Sequence, residues 1–464
     1  MAGAARQAIA PQALPTLHRF LTDLTWEALC APVQKQAALL LLDTLGVAIA
    51  AQTMEAGVIA RDSAVALFGA GPGADSARLM LDGRPVSLAG FGYALASQID
   101  NLDAHDGFNP VKGHMGVVLL PTLMAYAQCG SPLSGQAALT ALVAGYEIAS
   151  RSGLALHGTA PDYHTSGAWN ALAVAALGAR FRGFDVAQLR NALGIAEFHG
   201  PRSQMMREVD DPSMLHDGGG WGALAGLSAV TLAAQGFTGG HALTVEAEEV
   251  QEVWADLGRD WLVLAQYIKP YPVCRWAHAP IDAALDLRRD HGLSADQIEE
   301  IEITTFHEAT RLASGMPDSS PMAQYSLPFS VANALLYGRV GLSEITGDNL
   351  TNCDIARLVA RTKLSEDPLH NQLFPVQRLA RVSLTLSDGR KLVSQDREPL
   401  GGPDLPLSEA EILAKFHSFT APVLGVARSN ALAAAVLSLG QANQSFSELV
   451  ATLLDPLPAL AVAE

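Results

Sequence analysis

Between residues 14 and 265 the chain repeats one theme: apolar stretches rich in Ala and Leu, cut apart by Gly, Pro and Asp. The clearest run over 33–51, 90–100, 119–129, 136–155, 167–182, 185–198 and 222–235. Apolar residues cover most of each stretch rather than one stripe, and β-branched alternation is scarce. Segments of this kind must be buried nearly all round, so they are expected as interior helices of a large helical domain. No fixed-period repeat or low-complexity tract interrupts them. A chain of 464 residues also exceeds one compact core, which implies a second domain.

The texture changes after Lys269-Pro270-Tyr271-Pro272. The segment 298–305, Ile-Glu-Glu-Ile-Glu-Ile-Thr-Thr, alternates like a half-buried strand. Residues 381–386 run through Ser387-Asp388-Gly389-Arg390 into 391–394, a hairpin with an Asp-Gly turn. A helix over 330–337 separates these strand regions. The expected fold is therefore mostly α. A large all-helical domain begins at 1–269, and a smaller α+β lid domain at 270–400 is inserted before C-terminal helices at 401–464. Those helices return to the first domain through the Pro-rich linker at 398–406.

Apolar residues make up 49% of the chain and the mean hydropathy is +0.19, ample for a large interior. Charged residues reach only 17%, below the usual share of about a quarter, so oligomer contacts are expected to cover surface. A net charge of −17 argues against nucleic acid or an anionic membrane as partner. It leaves an anionic substrate open, because a basic pocket fits inside an acidic protein. Cys30, Cys129, Cys274 and Cys353 are widely spaced and form no CxxC pair. They point to a reduced, cytoplasmic protein with buried thiols. The N-terminus lacks a basic segment followed by an apolar one, so no signal peptide is expected. Apolar runs at 39–51 and 221–234 look too short to span a bilayer and fit close-packed helices.

Chemistry concentrates in Asp100-Asn-Leu-Asp103-Ala-His105-Asp106-Gly107-Phe-Asn-Pro110-Val-Lys112-Gly113-His114, between two apolar segments. Carboxylates beside imidazole and ammonium groups are what acid–base work on a polar substrate requires. On residue types alone, a catalytic or metal site and a solvated loop with capping aspartates both stand. Asp103, His105, Asp106 and His114 are possible metal ligands, but their spacing matches no standard zinc, EF-hand or facial-triad pattern. A metal-dependent hydrolase and a non-catalytic carboxylate-binding protein are the rival classes.

Three further segments carry candidates. In Asp162-Tyr163-His164-Thr165-Ser166-Gly167, Thr165 or Ser166 is placed to cap the next helix, leaving His164 on the approach loop. Pro212-Ser-Met-Leu215-His216-Asp217-Gly218-Gly219-Gly220 sets His216 before amides able to hold a carboxylate, or simply allows close helix packing. It lacks a Walker lysine, so a nucleotide loop is rejected. Lys269-Pro-Tyr271-Pro-Val-Cys274-Arg275-Trp276-Ala-His278 stiffens the domain junction. It offers Lys269 and Arg275 as carboxylate clamps, against a plain hinge with cation–aromatic packing. Cys274 is read as a packed thiol rather than a nucleophile.

With these residues in view, the chain resembles the MmgE/PrpD family over nearly its whole length. Asp103-Ala104-His105-Asp106-Gly107 and Gly113-His114-Met115 stand in the register of the family's Asp-Phe-Asp-Asp-Thr/Ser and Gly-His-Pro motifs. The resemblance implies catalytic roles for Asp103, His114, His164 and Lys269. It implies substrate contacts for His105, Asp106, Lys112, His216, Arg275 and His278. His105 replaces the second Asp and Gly107 the hydroxyl residue. The family's Lys-Pro-x-His-x-Gly is met only by Leu215-His216-Asp217-Gly218, for whose missing lysine Lys112 is the substitute, and Phe329 stands where a tyrosine is frequent. The implied protein is a cofactor-independent, metal-free homodimer acting on a small di- or tricarboxylate. Its step would be proton abstraction α to a carboxylate, with dehydratase ahead of epimerase, racemase or decarboxylase.

Overall fold

The computed structural model describes residues 12–457. The outer ends of the expected first and last segments, 1–11 and 458–464, lie outside the described residues, as does part of the N-terminus read for a signal peptide. The apolar stretches are helices: α1 (Ala13–Asp23), α2 (Ala31–Ala50), α3 (Glu55–Leu67), α4 (Leu88–Asp100), α5 (Gly116–Ala127), α6 (Gly135–Thr159), α7 (Gly167–Arg182), α8 (Val186–His199), short α9 (Met206–Asp210) and α10 (Gly219–Ala234). Their starts follow local chemistry. Ser87 and Ser134 accept the amides of Gly90 and Ala137, and Asp185 with Gln188 closes a reciprocal cap on α8. Gly183, at φ +63°, ends α7 in the left-handed conformation that lacks a Cβ penalty.

Glycines set how closely these helices cross. A Cβ at Gly226 of α10 would collide with Val174 of α7, and one at Gly145 of α6 with Leu119 of α5. Helix α2 corrects one expectation. With the turn that follows, it covers 23 residues, Ala31–Thr53, long and apolar enough to cross a membrane, but 89% of its apolar window is buried in the core.

A four-stranded sheet forms beyond the junction from β5 (Ile298–Thr305), β6 (Thr362–Glu366), β7 (Arg381–Leu386) and β8 (Lys391–Val393), in the order β6-β5-β7-β8. Strand β6 runs parallel to β5, and the other pairs are antiparallel. Ile301 and Ile303 of β5 and Val382 and Leu384 of β7 share the buried face, where the helix His278–His291 packs. The helix expected at 330–337 begins earlier, at Leu327, where Ser326 caps it. Two ribbons within the first part were not expected: β1 (Ser76–Arg78) with β2 (Pro85–Ser87), and β3 (Gly107–Phe108) with β4 (Gln266–Tyr267).

The tail carries a further helix packed on the first part of the chain. Its helix Glu409–Leu424 lies on α2, where Gly46 leaves room for the Phe416 ring. Lys415 Nζ reaches Asp43 Oδ1 at 2.6 Å and the Ala104 carbonyl at 2.7 Å. The two crossing segments are bonded together: Ile268 N–H donates to Gly401 O at 2.9 Å, and Leu400 N–H to Asp282 at 2.9 Å. The thiols are less buried than expected. Cys30 and Cys353 are exposed, Cys129 and Cys274 are intermediate, and all four are free.

Candidate active site

The Asp100–His114 loop is buried and ordered, which removes the solvated-loop reading. Asp103 N–H donates to Asp100 O at 2.9 Å, closing a turn at the end of α4. The β3–β4 ribbon then ties Gly107 and Phe108 to the junction, and Phe108 N–H bonds Gly113 O at 2.8 Å before α5 begins. Gly107 and Gly113 have no space for a Cβ, against the Tyr267 hydroxyl and the Trp169 ring respectively. So the glycines are required by close approach, and the loop is fixed from both sides.

Asp103, Lys112 and His114 line a small cavity of about 20 Å3, together with Asp217, Tyr267, Arg275, Tyr325 and Arg378. Lys269 Nζ contacts Asp103 Oδ1 at 2.5 Å, and Asp103 Oδ2 has no hydrogen-bond partner. One carboxylate oxygen is thus anchored and the other keeps its lone pairs. His114 Nδ1 lies 2.5 Å from Asp106 O, and its Nε2 lies 3.4 Å from Asp217 Oδ2. In the same lining, Lys112 Nζ sits over the Tyr163 ring at 4.4 Å, and the Arg275 guanidinium over Tyr267 at 4.4 Å. Arg378 approaches Tyr267 at 5.8 Å. Burial lowers Arg275 to about 10, so it stays charged at neutral pH. Among the described residues, none of these three cations has a carboxylate partner, and the Nε atoms of Arg275 and Arg378 are buried without a partner.

Backbone strain marks the same place. Asp103 (φ +50°), Lys112 (φ +52°) and Asp217 (φ +41°) all occupy the left-handed region and all line the cavity. Such conformations cost free energy outside glycine and collect where geometry is functionally constrained.

The remaining candidates stand further back. Lys269 is fully buried behind Asp103, not on the cavity wall, so it holds the carboxylate instead of facing a ligand. His105 stacks on His114 with ring centroids 4.4 Å apart; burial, then His114 itself, hold it well below the usual imidazole range, so it is neutral. The Asp106 side chain turns away and accepts the Gly116 amide at 3.3 Å, and burial followed by Asp43 raises its carboxyl to about 7. His164 packs against His157, because the extended 163–164 backbone sends Tyr163 into the cavity and the next side chain outward. His216 lines a wide outer groove beside Glu208, 4.0 Å away. His278 is buried among Tyr271, Arg275 and the Val273 carbonyl.

Two other expectations change. Ser166 does not cap α7; its hydroxyl donates to Asp217 Oδ1 at 2.7 Å and accepts the His114 amide at 2.9 Å. The Gly219 amide holds a carboxylate, but the protein's own Asp100, at 2.7 Å. Burial, then Asp103, pushes the Cys274 thiol up to about 12, so it carries no thiolate near neutrality. Among the described residues no three His, Cys, Asp or Glu side chains converge as a metal shell. Sequence reasoning missed Asp217, Tyr325 and Arg378 as wall residues.

The sequence has known counterparts. Residues 16–256 match the MmgE/PrpD N-terminal domain and residues 271–441 the MmgE/PrpD C-terminal domain, so the chain belongs to the MmgE/PrpD family. It is similar to a cis-aconitate decarboxylase of Aspergillus terreus, 24% identical over 376 residues that span 74% of this chain and 76% of the relative. A cis-aconitate decarboxylase-like protein, oryM, of Aspergillus oryzae is 25% identical over 395 residues, 77% and 80% of the two chains.

Proposed function

We propose that this protein is a lyase that removes water from a small hydroxylated di- or tricarboxylic acid. The observation that carries the reading is one small cavity lined by Asp103 and His114 together with Lys112, Arg275 and Arg378. Asp103 Oδ2 takes the proton from the carbon α to a carboxylate. The electron pair moves into that carboxylate, and the adjacent cations stabilise the aci-carboxylate that results. The electrons then return to form the carbon–carbon double bond as the C–O bond breaks, with His114 giving its proton to the departing hydroxyl. Both groups act from buried loops that exclude water and hold them in register.

Decarboxylation is a second reading, favoured by the names of the Aspergillus relatives. The Cys274 thiol and the imidazoles of His105, His164, His216 and His278 take no part in either. The working form is proposed as a cytoplasmic homodimer, with exposed Phe198, Trp221 and Phe237 as apolar contact groups. The test is a panel of hydroxylated and unsaturated di- and tricarboxylates, followed by mass spectrometry and carbon dioxide capture. Loss of water with the carbon count unchanged supports dehydration, and release of carbon dioxide selects the second reading. No turnover of any member defeats both.

A further inference from the structure

Asp217 reaches the cavity from the Leu215-His216-Asp217-Gly218 loop, where the motif singled out His216 instead, at φ +41° and just ahead of Gly218 at φ +70°. Its Oδ1 accepts both the Ser166 hydroxyl at 2.7 Å and the Ser166 amide at 3.2 Å, and its Oδ2 faces His114 Nε2 at 3.4 Å. The His114 ring is therefore held between two oxygens. Asp106 O is a carbonyl and can only accept, so Nδ1 must carry a proton to bond it. An ionised Asp217 can likewise only accept, so a bare Nε2 would set lone pair against lone pair.

Three buried carboxyl groups, Asp100, Glu208 and Asp217, crowd this corner. Burial, then the neighbouring charge of Asp217, push both Asp100 and Glu208 well above the usual carboxyl range. Two Ser166 donors on one oxygen are what an anion needs and what a neutral acid would leave half used. The Asp217 amide is in turn fixed by Glu208 Oε2 at 2.7 Å. Other groups facing His114 are neutral His105, the edge of Tyr267 and the Asp103–Lys269 pair, with Lys112 across the cavity.

We propose that Asp217 is the positioning residue that keeps His114 a double donor, so that His114 enters the reaction as the acid while Asp103 is the base. This rests on the lyase reading for the reaction step, but the charge pair itself does not. The site then holds one anchored base and one charged acid before substrate arrives, and the proton leaves His114 Nε2 towards the departing hydroxyl.

The test compares wild type with Asp217→Asn, with Ser166→Ala as a companion that keeps the charge. In 15N-histidine NMR at pH 7.5, with His114→Gln for assignment, wild type and Ser166→Ala should show both His114 nitrogens protonated. Asp217→Asn should show one bare nitrogen. Its kcat should fall about tenfold or more with KM within about threefold, the scale of a mispositioned acid. Exchange of the substrate α-proton with deuterium should outlast turnover, because the base is untouched, so the exchange-to-turnover ratio rises. A bare nitrogen on wild-type His114 overturns the inference without any variant. An unchanged exchange-to-turnover ratio in folded Asp217→Asn also overturns it, since a structural defect slows both steps alike. Wild type that neither exchanges nor turns over any acid overturns the lyase reading and the acid role with it, while the nitrogen signals still decide the charge pair.

Discussion

Replacing Lys269 by Met tests the pairing on which the whole site stands. Lys269 is fully buried and Asp103 is 3% exposed, so their contact at 2.5 Å is made almost without water. Met keeps most of the apolar length of the side chain and removes its charge, leaving Asp103 as a buried carboxylate with no counter-ion. Breaking one side of such a pair costs about 3–5 kcal/mol, most of it the desolvation of the survivor. Asp103→Asn leaves the ammonium stranded and should cost a similar amount. The double variant, Lys269→Met with Asp103→Asn, strands neither charge and should lie within about 1.5 kcal/mol of wild type. Equilibrium unfolding in urea of the four proteins, at matched m-values, gives the coupling directly. Activity follows another rule, since the double variant regains stability while kcat stays down by about 10²-fold or more, having lost its base. Additive stability costs would refute the pairing. Restored turnover in the double variant would remove Asp103 from the chemistry.

Three further outcomes follow from single groups. His114→Ala should lower kcat by about 10²-fold or more, checked by steady-state kinetics. Asp106, with its carboxyl raised from 3.8 to about 7, binds more protons folded than unfolded, so the stability it contributes declines as pH rises from about 4 to about 7; Asp106→Asn should flatten melting temperature against pH across that window. Cys274→Ser should keep kcat within about threefold, because a thiol at about 12 is no nucleophile near neutrality, and iodoacetamide should modify the native Cys274 slowly.

Much of this was legible in the sequence because burial on all sides leaves a continuous apolar signal. Helix α7 and strands β5 and β7 stand at the expected residues, and the other helices with an expected range in the first part of the chain differ by a few positions at their ends, while α1, α3 and the helix His278–His291 had none. Strand β6 was invisible for the opposite reason: an edge strand, Thr-Lys-Leu-Ser-Glu, it has one apolar residue and no buried face to pattern. The loop from Asp103 to His114 announced itself by composition. Tyr163 and Asp217 did not, although each sits beside a histidine that was singled out, since facing depends on backbone dihedrals that the sequence does not display. Arg378 lies in an unpatterned stretch before β7 and reaches the cavity only through tertiary packing. Ser166 looked like a helix cap because its intended partner, Asp217, is 51 residues away.

Lys415 makes the order of synthesis matter. The loop bearing Asp103 leaves the ribosome early, yet the ammonium that bonds Ala104 O lies 311 residues downstream. Until that helix is made, buried Asp43 lacks the ammonium that bonds its Oδ1, which favours an open, hydrated arrangement there over a closed one. A nascent chain that has completed the sheet therefore still lacks the cation that seats the loop under its own active site. A helix near the end of the chain thus completes the first catalytic segment, so shortened chains ending before Lys415 should be inactive even where their early helices fold.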